Sequence, residues 1–280
     1  MTHPRRVLDE HGLRPRKALG QNFLADPNVA RKIVEALAPT AQDAVLEIGC
    51  GTGALTRELA GRAGRVFGVE IDSGLFSACR RELADLANVE MVLGDARDAD
   101  PEAWSKTVGR PLLACGNLPY YLSTEIAFFL LDHHASFERA VLMFQKEVAD
   151  RIRAAPGGKE YGILSVLVQY RCAVERVMDV PPTCFYPPPE VVSAVLGFRF
   201  RKKPEPAAED EGRFAGLVKA GFGQRRKTLR NALAVLAGSA GEAEARLRAA
   251  GIDPARRAET LAVAEWVGLS NGWETNRNDE

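Results

Sequence analysis

The chain has 280 residues, 46% of them hydrophobic, which is enough for one large α/β domain and a smaller appendage. Its 37 basic and 37 acidic side chains cancel, so no global basic field attracts nucleic acid, and any such affinity must come from local patches. The five cysteines form no C-x-x-C pair and no apolar run reaches the length of a membrane span, which argues against disulfides, a metal site and membrane insertion and predicts a cytoplasmic protein.

The first half of the sequence predicts alternating helices and strands. After a basic arm, Asp26 and Pro27 have the pattern of an N-cap followed by proline at the first helical position. Short apolar runs then alternate with amphipathic stretches. The runs predicted to be strands are Ala44–Ile48, Val66–Ile71, Val89–Leu93, Leu112–Cys115 and Ala140–Phe144. This rhythm predicts an α/β fold with a mainly parallel sheet and helices on both faces.

The second half predicts a change of architecture. Two later strands, at 174–180 and 194–200, are predicted to extend the far edge of the sheet. A segment with two prolines and mixed charge then separates them from a region rich in alanine, leucine and arginine. The predicted boundaries are a basic arm at 1–17, an α/β domain at 18–203, a linker at 204–212, a small helical domain at 213–268 and a disordered tail at 269–280.

A glycine-rich turn follows the first predicted strand. The strand runs into Gly49–Gly53, and a helix is predicted to begin near Ala54. A dinucleotide-binding turn has the spacing G-x-G-x-x-G, which places a pyrophosphate at the helix N-terminus, whereas here the third glycine comes one residue early. The early third glycine therefore favours a cofactor without phosphate. Glycine lets the backbone approach a ligand closely, so this cofactor is predicted to bind at Gly49 and Gly51.

Carboxylates follow the next two strands. Glu70 ends the second predicted strand, where its oxygens can accept both hydroxyls of a ribose, as in proteins that bind NAD or S-adenosylmethionine. Asp95 follows the third strand and can accept an adenine amino group, while Ala96 leaves room for the ring. Each feature alone also fits a tight connection, a helix cap or a solvated carboxylate. Their order along the strands favours a cofactor site, because ligands of such folds bind at this edge of the sheet.

A polar and aromatic cluster ends the fourth strand. The lone pair of adenine N6 is delocalised into the ring, so methylation there requires acceptors for the amino hydrogens. The side-chain oxygen of Asn117 and the carbonyl of Leu118 can accept them, while Pro119 fixes the turn and Tyr120 stacks on an extruded base. Phe185, which precedes a proline run, is predicted to sandwich the base against Tyr120, although this segment also fits the end of an edge strand.

Eight parts of the sequence match a pattern known from one family. They are Gly20–Leu24, Leu46–Thr56, Val69–Asp72, Gly94–Ala96, Asn117–Tyr120, Tyr161-Gly162 with Leu164-Ser165, Phe185–Ser193 and Arg225–Asn231. Together they resemble the ribosomal RNA adenine dimethyltransferases, and in combination the small-subunit branch of that family. The resemblance spans most of the chain, from Lys17 to about Trp266.

This resemblance implies a Rossmann-like class I S-adenosylmethionine methyltransferase fold with a small C-terminal α-helical domain. It implies that two adjacent adenosines near the 3′ end of 16S rRNA, in the precursor of the 30S ribosomal subunit, become N6,N6-dimethyladenosine, with S-adenosyl-L-methionine as cofactor. By the matching motifs, Asn22 and Leu24 close over the methionine end of the cofactor. The residues implied to line the rest are Gly49, Glu70, Asp95 and Asn117. A monomer is the default expectation.

A basic cluster lies in the last matching segment. Its members, Arg225, Arg226, Lys227 and Arg230, are predicted to bind RNA phosphates. The alternative is a solvated helix face.

Three other functions remain open from the sequence. A resistance-type dimethyltransferase that acts on 23S rRNA has the same cofactor motifs. A non-catalytic RNA-binding assembly factor would keep the fold, but the intact reaction-centre residues argue against it. A nicotinamide-dependent oxidoreductase is disfavoured by the early third glycine.

The sequence departs from many relatives at Tyr121 and Leu122, which follow the reaction-centre motif where an asparagine commonly stands. The resemblance therefore does not define the rim of the base pocket.

Overall fold

The computed structural model describes residues 2–224 and 226–273. Its strands are β1 (Phe23–Leu24), β2 (Ala44–Ile48), β3 (Arg65–Glu70), β4 (Val89–Leu93), β5 (Leu112–Asn117), β6 (Phe137–Gln145), β7 (Cys172–Val180), β8 (Phe185–Tyr186) and β9 (Ser193–Phe200). The helices are α1 (Pro4–Glu10), α2 (Pro27–Leu37), α3 (Ala54–Ala60), α4 (Ser73–Glu82), α5 (Pro101–Val108), α6 (Ser123–Asp132), α7 (Lys146–Arg153), α8 (Ile163–Arg171), α9 (Glu211–Gly223), α10 (Leu229–Ala232), α11 (Ala234–Ala237), α12 (Ala240–Ala249) and α13 (Val263–Asn271).

The seven strands predicted from the sequence form one sheet in the order β4-β3-β2-β5-β6-β9-β7. Strands β4, β3, β2, β5 and β6 pair in parallel, and β9 runs antiparallel to β6. The interior strand β2 is buried at every residue, as expected of an apolar strand covered on both faces. The predicted α/β class with a mainly parallel sheet is confirmed, and the carboxyl ends of four neighbouring strands meet at one edge.

Helix α2 shows how local sequence sets these elements. The side chain of Asp26 accepts a hydrogen bond from the backbone N–H of Asn28 at 2.8 Å, and Pro27 occupies the first turn. The buried residues of the helix recur at helical spacing and pack on the same core as β2. They are Val29, Ala30, Ile33, Val34 and Leu37.

The chain divides into two compact units whose boundaries differ from those expected. One unit comprises Met1–Ala149 and Ala173–Phe200, and the other comprises Asp150–Cys172 and Arg201–Glu280. The segment that contains α8 therefore belongs with the C-terminal helices. The reason is tertiary packing, because Tyr161, an α8 neighbour along the chain, lies in the same core as the C-terminal helices.

The basic arm, the linker and the tail each contain helical or buried residues. The basic arm contains α1, whose Leu8 packs with Phe23 and Leu75. The helical region begins with α9, two residues before the expected boundary. The expected disordered tail starts too early, because α13 includes Leu269–Asn271 and the side chain of Trp273 is buried. Residues 274–280 lie outside the described part of the chain. Within residues 2–224 and 226–273, the helices are too short or too polar to span a bilayer.

Candidate active site

A cleft opens at the carboxyl edge of the sheet, within the first unit. The residues predicted from the sequence that line it are Asn22, Leu24, Gly49, Gly51, Glu70, Asp95, Ala96, Asn117, Leu118, Pro119 and Tyr120. They come from the ends of β2, β3, β4 and β5 and from the segment around β1. The topology rule that places ligands at this edge therefore brings nine of the predicted residues to one cavity, and the segment around β1 adds Asn22 and Leu24.

The glycine-rich turn forms the floor of the cleft. Gly49 and Gly51 both have positive φ, at 77° and 54°, a conformation that side chains with a Cβ rarely adopt. The backbone N–H of Gly51 donates to Oε2 of Glu70 at 2.9 Å, which ties the turn to the end of β3. The predicted helix after the turn is present, since α3 begins at Ala54.

Glu70 lies at the end of β3 and is buried. Its Oε1 accepts the backbone N–H of Asp72 at 2.9 Å, and its Oε2 accepts that of Gly51. Burial raises the pKa of Glu70 above its ordinary value, and these two hydrogen bonds oppose the shift. A carboxylate oxygen can accept two hydrogen bonds, so each oxygen keeps the capacity for a ribose hydroxyl.

Asp95 has a partner that sequence reasoning missed. The side chain of Arg97 donates to both oxygens of Asp95, with Nη2 2.6 Å from Oδ2 and Nε 3.0 Å from Oδ1. Arg97 also pairs with Glu125 on α6. The hydrogen bonds from Arg97 lower the pKa of Asp95, so this acid is charged at neutral pH. The only sequence signal was the proximity of Asp95 and Arg97 along the chain.

Asn117 is held by a hydrogen bond that fixes its orientation. Its Nδ2 donates to the backbone carbonyl of Asn22 at 2.8 Å, across 95 residues of sequence. The amide of Asn22 in turn donates to the carbonyl of Gly20 at 3.2 Å. Because the Nδ2 side of the Asn117 carboxamide is used in this way, the Oδ1 side is the one left to accept a hydrogen bond from a ligand.

Tyr120 is positioned by two serines. Its hydroxyl lies 2.7 Å from Oγ of Ser193, and its carbonyl accepts a hydrogen bond from Oγ of Ser123 at 2.8 Å. Burial raises the pKa of the Tyr120 phenol above its ordinary value, so it stays protonated at neutral pH. Pro119 closes the turn, with its carbonyl 3.0 Å from the N–H of Leu122.

The side chain of Phe185 does not lie in the cleft, where the sequence analysis placed it. Its side chain is 4% exposed, it pairs with Leu24 across the short β1–β8 ladder, and it lies in the core with Val29 rather than in the lining of the cleft. The structure therefore does not bring Phe185 into the lining of the cleft beside Tyr120, and the sandwich of a base between the two rings stays a prediction. Successive strand residues point to opposite faces, so Phe185 packs in the core beside its partner Leu24, and Tyr186 packs against a different cluster.

The cleft also contains a buried acid that sequence reasoning did not single out. Glu47 is 1% exposed, and within the described residues neither carboxylate oxygen has a hydrogen-bond partner of normal geometry. The Thr56 hydroxyl and the Cys50 thiol lie near enough to lower its pKa slightly. Burial outweighs them and raises the pKa of Glu47 to about 8.

The basic cluster lies in the second unit. Arg226, Lys227 and Arg230 are exposed, and Nε of Arg230 lies 2.9 Å from a carboxylate oxygen of Glu244. Arg225 lies outside the described residues. The structure thus presents three of the four predicted cations to solvent, one of them already paired.

The sheet order and the cleft together define the class of protein. A seven-stranded sheet with an antiparallel β9, a glycine turn without dinucleotide spacing and an acid at the end of β3 are typical of class I methyltransferases, which use S-adenosylmethionine. The chain belongs to the ribosomal RNA adenine dimethylase family, whose model matches residues 12–274.

Individual proteins agree with this assignment. The chain is 45% identical, over 97% of both sequences, to the ribosomal RNA small subunit methyltransferase A of Magnetococcus marinus. It is similar to the crystal structure of a dimethyladenosine transferase from Plasmodium falciparum, with a TM-score of 0.75 and 27% identity over 88% of this chain and 95% of that one. It is also similar to the 23S rRNA methyltransferase ErmE, with a TM-score of 0.68 and 28% identity over 90% and 99% of the two chains.

Proposed function

We propose that this protein methylates N6 of two adjacent adenosines near the 3′ end of 16S rRNA, to N6,N6-dimethyladenosine, in the precursor of the 30S subunit. It acts as a monomeric cytoplasmic enzyme. The observation that carries the proposal is the orientation of Asn117, whose carboxamide is fixed with its acceptor oxygen free at the cleft. The 45% identity to a ribosomal RNA small subunit methyltransferase A supports the substrate.

The residues of the cleft fit S-adenosylmethionine. Glu70 accepts the ribose hydroxyls, and Asp95 accepts the adenine amino group beside the small side chain of Ala96. Gly49 and Gly51 let the backbone approach the cofactor closely. Asn22 and Leu24 cover its methionine end. When bound, the cofactor supplies an electrophilic methyl group on a positively charged sulfur.

The protein contributes position rather than a strong base. Oδ1 of Asn117 and the carbonyl of Leu118 accept hydrogen bonds from the amino group of the target adenine, which lets nitrogen pyramidalise and exposes its lone pair. Once nitrogen is methylated, it releases a proton to solvent. The ring of Tyr120 supports the extruded base. The hydrogen bond between the Tyr120 hydroxyl and Ser193 holds this ring in place. No histidine is among the described residues that line the cleft, in keeping with catalysis by orientation and electrostatics.

Replacing Glu70 with alanine is expected to weaken S-adenosylmethionine binding by roughly 1–3 kcal/mol, the cost of losing a charged hydrogen-bonding partner. Isothermal titration calorimetry measures the change. Glu90→Ala is the matched control, because Glu90 is a carboxylate of the neighbouring strand that pairs with Arg65 and does not line the cleft. Unchanged affinity in Glu70→Ala would remove the ribose assignment.

The exposed cations Arg226 and Lys227 bind RNA phosphates in this proposal. The double alanine variant is expected to weaken binding to 16S rRNA and to reduce the slope of log K against log salt by about one for each phosphate that is no longer neutralised. Filter binding over a salt series measures both quantities. Arg248→Ala, which removes another exposed arginine of the same unit, serves as the control. An unaltered slope in the double variant would identify this segment as an ordinary solvated surface.

The substrate is tested by transfer of labelled methyl groups to undermethylated 30S particles, with 23S rRNA and free 16S rRNA as parallel substrates. The proposal predicts labelling of 30S particles. Labelling of 23S rRNA alone would assign the chain to the large-subunit branch, and no labelling of any substrate would favour a non-catalytic assembly factor.

A further inference from the structure

Tyr121 is the one aromatic residue among the exposed large hydrophobic residues in the described parts of the chain. Its exposed fraction is 51%, and it lines the mouth of the cleft directly after Tyr120. The two neighbouring tyrosines differ sharply in their surroundings. Tyr120 is tied through its hydroxyl to Ser193, whereas the ring of Tyr121 remains half accessible to solvent.

The ring of Tyr121 is nevertheless positioned rather than loose. It lies against Gly20, since a Cβ built on that glycine would come within 3.4 Å of Cδ1 and 3.9 Å of Cε1 of the ring. Gly20 belongs to the segment that also presents Asn22 to Asn117. One part of the ring is thus supported by the backbone that closes over the cleft, and the rest is presented outward at its rim.

The chemistry of this rim suits a nucleobase. Outside the lining of the cleft, Val191 and Val192 are also exposed, and Val192 directly precedes the serine that holds the Tyr120 hydroxyl. Exposed aromatic and apolar surface near Tyr120 offers stacking and van der Waals contact to a flat ring. Every base has a π-face, so an exposed ring at the entrance of a base pocket is a stacking platform.

We propose that Tyr121 stacks on the nucleobase next to the adenine that is being methylated. Extruding a base leaves the face of its neighbour without a stacking partner, and the aromatic ring at the rim takes the place of that partner. This inference rests on the proposed function, because it concerns the RNA strand at that same cleft. It assigns to Tyr121 a role in binding RNA and no role in binding the cofactor.

The test compares Tyr121→Ala, Tyr121→Phe and the control Leu93→Ala on undermethylated 30S particles. Leu93 is as exposed as Tyr121 but lies outside the cleft lining. The alanine variant of Tyr121 is expected to raise KM for the particles about tenfold. The phenylalanine variant keeps the ring and is expected to match the wild type, as is the Leu93 control. All variants should retain the wild-type Kd for S-adenosylmethionine and the wild-type melting temperature.

A second readout follows stacking directly. In a short RNA from the 3′ end of 16S rRNA, 2-aminopurine replaces the base next to the target adenine. Its fluorescence is expected to be quenched by the wild type and by Tyr121→Phe, and not by Tyr121→Ala. Equal KM and equal quenching in Tyr121→Ala would overturn the inference, as would a loss confined to cofactor affinity. If the wild type fails to methylate 30S particles at all, the proposed function itself fails, which is a distinct result.

Discussion

Replacing Asn117 with alanine is expected to slow methyl transfer about a hundredfold or more while leaving the Kd for S-adenosylmethionine nearly unchanged. The loss is large because a fixed acceptor that stabilises developing charge contributes on this scale when it is removed. In the proposed function the cofactor is held mainly by groups on other strands, Glu70 above all. Single-turnover transfer of labelled methyl groups, alongside calorimetry of cofactor binding, measures the two quantities separately.

A second variant separates the two halves of the carboxamide. Asn117→Asp keeps an oxygen acceptor but loses the N–H that donates to the carbonyl of Asn22. Its rate should lie between those of the wild type and the alanine variant, because the acceptor is present but no longer held in orientation. Wild-type turnover in Asn117→Ala, or an equal fall in rate and cofactor affinity, would contradict the assigned role.

Replacing Glu47 with glutamine is expected to flatten the dependence of stability on pH. Burial raises the pKa of Glu47 from 4.5 to about 8, so between these values the folded state holds a proton that the unfolded state releases. The contribution of protonated Glu47 to the free energy of unfolding of the wild type is therefore greatest below pH 4.5, and it is lost as pH rises toward 8. The full difference corresponds to about 5 kcal/mol.

The surroundings of Glu47 give no compensating cation within the described residues. Besides burial, the Glu70 carboxylate raises the pKa of Glu47, whereas hydrogen bonds from Thr56 and the Cys50 thiol lower it and do not offset the burial. Glutamine has nearly the same shape and does not titrate, so the variant avoids the penalty of a buried charge at high pH.

Urea denaturation from pH 5 to pH 9 measures this effect. The wild type should lose several kcal/mol of unfolding free energy over this range, and Glu47→Gln much less. Glu35→Gln is the control, because Glu35 is an exposed residue of α2 whose surface pair with Arg62 contributes little. Parallel pH profiles for the wild type and Glu47→Gln would show that Glu47 titrates normally.

The sequence predicted the features of this protein that depend on strand order. Parallel strands end at a common edge, so Glu70, Asp95 and Asn117 were expected to meet once the strands that carry them were identified. The early third glycine likewise separated this turn from a dinucleotide site. These inferences need only chain order and the two-residue period of a strand.

What the sequence could not supply were contacts set by packing across the fold. Phe185 and Tyr186 are adjacent aromatic residues, and only the pairing of Phe185 with Leu24 determines which of them turns into the core. The orientation of Asn117 depends on Asn22, 95 residues away. Strand β2 is buried at every residue, so the lack of a hydrogen-bond partner for Glu47 depends on which side chains of other elements pack around it. Helix α8 belongs to the second unit because of its tertiary contacts, which the sequence pattern does not show.

The most direct test of the proposed function is mass-spectrometric mapping of 16S rRNA from undermethylated 30S particles after incubation with the protein and S-adenosylmethionine. The proposed function predicts two neighbouring N6,N6-dimethyladenosines near the 3′ end, absent without the protein. Modification of a single adenosine, of another position, or of no adenosine in these particles would contradict it.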